Sequence, residues 1–173
     1  MKNILIGITG SIAAYKVPEF IKQLADNEYN VKVVLTESAT HFVNPLTLST
    51  VSRNQVFTND VNYDNPMLHI ELARFADLIV IIPTTANFIA KMAHGLCDDL
   101  LSTVCIASTA KIIIVPAMNH IMWANSIMQS NIDKLALHGI TVFNPVYGEQ
   151  ICGEIGIGSM LNIQEVFNRI IKL

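Results

Sequence analysis

Short apolar runs alternate along this chain with stretches whose apolar residues recur at helical spacing. Ile4 to Ile8 and Val31 to Leu35 read as strands. Leu78 to Ile82 and Lys111 to Val115 read as strands ended by Pro83 and Pro116, because proline has no N–H for a sheet ladder. Val17, Phe20, Ile21 and Leu24 share one face of a helix predicted over Ala13 to Asn27. Further helices are predicted over Asn87 to His94, Asp98 to Ala107, Met128 to His138 and Ile163 to Ile171. Pro45-Leu46-Thr47-Leu48 opens a short helix, and Asn59 to Pro66 reads as a loop. Gly139 turns the chain into a strand at Ile140 to Phe143. Pro145, Gly148, Gly153, Gly156 and Gly158 predict a loop or flap over 144–161. Alternating strands and helices predict an α/β domain. Strands apolar throughout predict a doubly wound parallel sheet covered on both faces.

Sheets of that kind take ligands at the carboxyl ends of their strands, so the loops there are where chemistry is expected. The first is Gly7-Ile8-Thr9-Gly10-Ser11-Ile12-Ala13-Ala14. Its glycines admit close backbone approach, its hydroxyls donate, and the next helix presents free N–H groups, all of which suits a phosphate. A plain β–α turn has the same composition. The second, Thr36-Glu37-Ser38-Ala39-Thr40, either reaches the same ligand through Ser38 or caps a helix through Thr36 or Ser38. The third, Pro83-Thr84-Thr85-Ala86-Asn87, offers two hydroxyls and an amide, with Asn87 placed for a helix cap as well. The fourth, Pro116-Ala117-Met118-Asn119-His120-Ile121-Met122-Trp123, sets one amide among apolar groups, where a buried amide needs partners.

Bulk properties narrow the classes. Of 173 residues 51% are hydrophobic and 14% charged, so apolar surface is left for subunit interfaces as well as a core. No run approaches the roughly 20 apolar residues of a membrane span. Net charge is −3 with no basic cluster, which argues against nucleic acid. Cys97, Cys105 and Cys152 form no CxxC pair, and the start lacks the pattern of a secretory signal. The expected compartment is the reducing cytoplasm. His41, His69, His94, His120 and His138 show no HxxxH spacing, so no metal site is expected. His69 lies in Met67-Leu68-His69-Ile70-Glu71-Leu72, just before a helical stretch.

His69 in His-Ile-Glu-Leu, Pro83-Thr84-Thr85-Ala86-Asn87 and the octapeptide from Pro116 to Trp123 together resemble the homo-oligomeric flavin-containing cysteine decarboxylases. The octapeptide fits the family pattern Pro-x-Met-Asn-x-x-Met-Trp at every fixed position. Flavin prenyltransferases share the fold but lack that pattern. Cys152-Gly153-Glu154-Ile155-Gly156-Ile157-Gly158-Ser159-Met160 fits Cys-Gly-x-x-Gly-x-Gly-x-Met of the phosphopantothenoylcysteine branch. Ser159 stands where many members carry arginine, which bears on how substrate is held.

The resemblance implies a Rossmann- or flavodoxin-like domain over residues 1–173, with the Gly-rich segment as a substrate flap. It implies FMN and the decarboxylation of 4'-phospho-N-pantothenoylcysteine to 4'-phosphopantetheine. The route runs through a thioaldehyde and an ene-thiol, with oxidation lent and taken back by the flavin. His69 is implied as base, Asn119 as binder of the substrate carboxylate and Cys152 as proton donor. Met118 and Met160 complete the substrate site. Gly10, Ser11, Ser38, Thr84, Thr85 and Asn87 are the implied FMN contacts. A homotrimer or homododecamer is implied, with a phosphopantothenate–cysteine ligase as a possible separate partner. The alternatives are a lantibiotic-type peptidyl-cysteine decarboxylase and a non-catalytic flavin-binding regulatory subunit.

Overall fold

The computed structural model describes residues 2–59 and 65–173, and its centre is a six-stranded parallel sheet. The strands are β1 (Asn3–Ile8), β2 (Asn30–Leu35), β3 (Val56–Phe57), β4 (Leu78–Thr84), β5 (Lys111–Pro116) and β6 (Thr141–Val142). They lie in the order β3-β2-β1-β4-β5-β6. Ile6 of β1 stands beside Val33 of β2 on one side and Val80 of β4 on the other. The helices are α1 (Val17–Asp26), α2 (Pro45–Ser52), α3 (Leu68–Phe75), α4 (Ala86–His94), α5 (Leu100–Ala107), α6 (His120–Ala124), α7 (Ser126–Leu137) and α8 (Ile163–Ile170).

Successive strand side chains point to opposite faces and feed two cores. Ile4, Ile6, Val33 and Val80 pack with Phe20 and Leu24 of α1 and Val166 of α8. Leu5, Val34, Ile79 and Ile114 pack with Leu72 of α3, Phe88 of α4, Val104 of α5 and Leu135 of α7. This is the doubly wound architecture that the uninterrupted apolar strands imply. Strand order reverses between β1 and β4, which opens a crevice at their carboxyl ends.

Several boundaries differ from expectation, each for a local reason. The helix expected from Ala13 is a 3-10 turn over Ile12–Lys16 followed by α1. Pro18 sits in the first turn of α1, where an amide hydrogen has no helical partner anyway. β4 does not stop at Pro83 but runs to Thr84. Proline lacks only the donor, and the Pro83 carbonyl still accepts from Thr9 N at 3.3 Å and Thr9 Oγ1 at 2.8 Å. Helix α4 is capped by Thr85, whose side chain accepts from Phe88 N, rather than by Asn87. Thr36 holds the cap position of the turn over Glu37–His41 without a side-chain cap bond. His69 lies within the first turn of α3, not before it. The two-residue β3 had no pattern to reveal it, and of the loop expected over 59–66 residues 60–64 lie outside the described residues.

The largest correction concerns 144–161. Much of it is an antiparallel hairpin of β7 (Val146–Glu149) and β8 (Ile155–Ser159). Gly156 and Gly158 share one face of β8, and that face lies against the start of α6. A Cβ on Gly156 would stand 2.6 Å from His120 Cβ, and one on Gly158 would stand 2.2 Å from the Met118 carbonyl oxygen. The glycines that suggested a loop are instead what lets a strand lie flat on the helix start.

Helix α5 is secured by Asp99, which accepts from Ser102 N at 2.7 Å in a capping box. Its carboxylate also meets Lys91 Nζ at 2.8 Å, and Asp98 meets the same nitrogen at 2.8 Å. Burial opposes the Asp99 charge, but hydrogen bonds from Lys91 and Ser102 outweigh it and hold its pKa below the usual value. Burial likewise opposes the Lys91 charge, and hydrogen bonds to Asp98 and Asp99 outweigh it and hold its pKa above the usual value. Asp99→Ala should cost about 1–2 kcal/mol in urea unfolding, the worth of a good N-cap. A depressed carboxylate stabilises the fold above its unfolded pKa of about 3.9 and loses that contribution as pH falls through the folded value. The gap between wild type and mutant should therefore be full near neutrality and narrow in acid.

Candidate active site

The four strand-end loops meet at the carboxyl edge of the sheet. Thr9 ties the first to the third: its hydroxyl donates to Pro83 O and accepts from Thr85 N at 2.9 Å. Gly10 lets the first and second loops touch, since a Cβ there would stand 2.4 Å from Ser38 Oγ. Ser11 caps the 3-10 turn by accepting from Ala13 N at 3.3 Å. Thr84, by contrast, is fully buried and its hydroxyl is spent inside the sheet, donating to Ile81 O and accepting from Val115 N. Its hydroxyl is not offered to a ligand.

In the fourth loop Asn119 has two tasks. Its Oδ1 caps α6, accepting from Ile121 N at 2.9 Å. That fixes the side chain and points Nδ2 toward the tip of the hairpin. There Nδ2 donates to Glu154 Oε2, to Gln150 Oε1 at 3.4 Å and to Cys152 Sγ at 3.7 Å. The Cys152 thiol in turn lies 3.7 Å from both Gln150 Oε1 and Glu154 Oε2. Gln150 and Glu154 are thus site-facing residues that the sequence reading passed over. The backbone holds the tip in place, with Glu154 O accepting from Gln150 N and Gly153 adopting φ +82°, a conformation suited to glycine.

A cavity of about 300 Å³ lies beneath this cluster. Ser11, Met118, Asn119, Cys152, Ser159 and Met160 are among its walls. Met160 is buried and Cys152 exposed, so an apolar floor faces a rim that carries a thiol. A second cavity of about 250 Å³ is lined by Ser38, Thr85 and Asn87 together with Thr36, Lys91 and Asp99. Of the expected cofactor residues, Ser11 lines the first cavity and Ser38, Thr85 and Asn87 the second, whereas Gly10 and Thr84 line neither. His69 lines neither of them. It sits half-buried on the first turn of α3, at the same edge of the sheet because α3 leads back into β4. Cys105 is buried, and burial pushes its thiol well above the ordinary range, leaving it inert.

The family model described as Flavoprotein matches residues 1–173. The chain belongs to this flavoprotein family. It is 46% identical over 168 residues to the coenzyme A biosynthesis bifunctional protein CoaBC of Haemophilus influenzae, covering 96% of this chain and 42% of that protein. The flavoprotein spans less than half the length of the curated relatives it matches. Among solved structures it resembles a cysteine-to-serine mutant of PPC decarboxylase complexed with pantothenoylaminoethenethiol. The TM-score is 0.87 at 30% identity, over 99% of this chain and 97% of the other. It also resembles the FMN binding protein AtHal3, with TM-score 0.88 at 31% identity, over 99% of this chain and 95% of the other. The family found is the one the sequence motifs implied. Among the described residues no helix is long and apolar enough to cross a membrane.

Proposed function

We propose that this flavoprotein is a carboxy-lyase that binds FMN and converts 4'-phospho-N-pantothenoylcysteine to 4'-phosphopantetheine in the cytoplasm. The observation that carries the reading is the meeting of Asn119 and Cys152 over one cavity, brought together from segments 33 positions apart. A neutral amide donor suits a carboxylate that must later leave as carbon dioxide. A thiol beside it suits the proton that must then arrive at carbon. The resemblance to coenzyme A biosynthesis relatives and to PPC decarboxylase favours the small substrate over a peptide.

The residues present fit FMN. Gly10 keeps open the space where the first two loops touch, and Ser38, Thr85 and Asn87 supply hydroxyl and amide donors beside the start of α4. Such donors at a helix N-terminus suit a phosphate. Lys91 is already matched by two carboxylates, so donors rather than net positive charge would hold the group. When bound, the flavin supplies a reversible two-electron sink for the CH2–SH carbon. His69 takes the proton released in that oxidation, a task suited to an imidazole near neutrality. Asn119 Nδ2 orients the carboxylate, Met118 and Met160 exclude water, and the Cys152 thiol returns a proton to carbon. The hairpin serves as the substrate flap. His69 does not line the cavity of its own chain, which suits a site completed by a second copy, and the family resemblance makes that assembly a trimer or a multiple of three. Exposed Ile12, Ile121, Met122 and Ile151 around the site suit burial between copies. A phosphopantothenate–cysteine ligase, fused or separate, would supply the substrate.

The test is direct. Purified protein should be yellow, release FMN rather than FAD on denaturation, and turn phosphopantothenoylcysteine into phosphopantetheine by mass spectrometry. Colourless protein that takes up no FMN rejects the reading. Turnover of a C-terminal peptidyl cysteine in place of the small substrate moves the chain to the peptide-acting branch.

A further inference from the structure

With its Oδ1 committed to capping α6, the Asn119 amide presents only its donor end, the two N–H groups of Nδ2, to the site. That donor end is met by a carboxylate belonging to the protein itself, Glu154 Oε2. Glu154 stands at the tip of the hairpin, its main chain pinned by Gln150 and its side chain about half exposed (49%). Two buried polar atoms nearby are unmatched among the described residues, Gln150 Nε2 and His120 Nδ1. Glu154 Oε2 lies 3.5 Å from His120 Nδ1. That separation makes an ion pair if the ring is charged but not a hydrogen bond.

We propose that Glu154 is a positioning residue that stands in for the substrate carboxylate on Asn119 and hands that donor over when substrate enters. The inference rests on the proposed function, in which Asn119 receives the substrate carboxylate. A second carboxylate on the same Nδ2 would set two negative charges side by side in a partly dry site, and that repulsion drives the arriving group to displace Glu154. His120 Nδ1 offers the displaced carboxylate a second seat within the same hairpin–helix contact. Gly156 keeps that seat in place, since its missing Cβ is what allows the His120 ring to lie against β8. In the free protein the stand-in keeps Asn119 satisfied and aimed. In the complex the shift to His120 holds the flap down on α6. The cost is competition, which falls only on ligands that bring a carboxylate.

That asymmetry makes the test specific. Two thiol-free probes bind without reacting: 4'-phospho-N-pantothenoylalanine, which keeps the carboxylate, and 4'-phospho-N-pantothenoylethylamine, which lacks it. Their dissociation constants are measured by calorimetry on FMN-loaded wild type, Glu154→Ala and Glu154→Gln. Removing the competitor should tighten the alanine probe by about tenfold relative to the ethylamine probe, the low end of what one hydrogen bond to a charged group contributes. Glu154→Gln, which keeps the size and loses the charge, should move the same way. An equal change for both probes in both variants means Glu154 only shapes the flap and overturns the proposal. Weaker binding of the alanine probe alone means Glu154 helps hold the carboxylate and overturns it as well. If wild type binds neither probe, the substrate assignment itself fails and takes this inference with it.

Discussion

Cys152→Ser is expected to leave the loss of carbon dioxide running while slowing the final protonation by about 10²–10⁴-fold, the usual worth of a positioned general acid. The product should then be an ene-thiol lighter than phosphopantetheine by about 2 Da, the hydride and proton of the missing return step. The expectation follows from where the thiol sits. Its sulfur lies 3.7 Å from the Asn119 amide, so a substrate carboxylate held there would bring its carbon close to the thiol. A serine hydroxyl keeps the shape but is a far weaker acid than a thiol of pKa about 8.5. The solved PPC decarboxylase relative that carries a cysteine-to-serine change holds an ethenethiol, the class of product expected here. Mass spectrometry of a single-turnover mixture decides it, with exposed Cys97→Ser as the control that should behave as wild type. Normal formation of the saturated thiol would leave the flap as a lid only. Loss of all carbon dioxide release would place Cys152 earlier in the sequence.

His69→Asn should stop the reaction one stage sooner, again by about 10²–10⁴-fold. Asparagine cannot accept a proton near neutrality, so the substrate thiol carbon should not be oxidised. FMN should still bind, because its expected contacts lie on other loops. Folding should be little changed, since the buried positions of α3 are Leu72 and Ala73 and not His69. Stopped-flow absorbance gives the readout: the yellow band should persist after mixing with substrate. Bleaching at the wild-type rate would exclude His69 as the base. Mixing His69→Asn with Cys152→Ser chains, each impaired alone, adds a check on the assembly. Recovery of activity in the mixed oligomer is expected if His69 serves the cavity of another copy.

The fold was largely legible because its signals are local. Ile4 to Ile8 and Leu78 to Ile82 are apolar throughout, short and rich in β-branched residues, with Gly10 and Pro83 just beyond them, which together favour a strand buried on both faces over a helix. Boundary errors fell where one residue type permits two outcomes. Pro83 removes a donor but not an acceptor, so β4 ran on through it. The apolar pattern ran on past Pro18 toward Ala13, but proline is disfavoured inside a helix and here marks the first turn.

The candidate site was legible in part. Asn119, Cys152, Met118 and Met160 were named from their motifs, and the fold gathers them around one cavity. Ser38, Thr85 and Asn87 gather around another. Thr84 was indistinguishable from Thr85 in sequence; Thr84 ends β4 with its hydroxyl turned into the sheet, whereas Thr85 stands past the strand as the cap of α4. Gln150 and Glu154 carried no motif of their own.

The sequence by itself determined the alternation of strands and helices, the four loops at the ligand edge and the family, because each is written in spacing a few residues long. Only the tertiary structure decided that the Gly-rich segment is largely a hairpin, that it lies on the start of α6, and that a carboxylate from its tip occupies the Asn119 amide. Those facts depend on pairs such as Asn119 and Glu154, 35 positions apart. Glycines at 156 and 158 weaken every local strand signal. They become informative only when a helix is present for their bare face to meet.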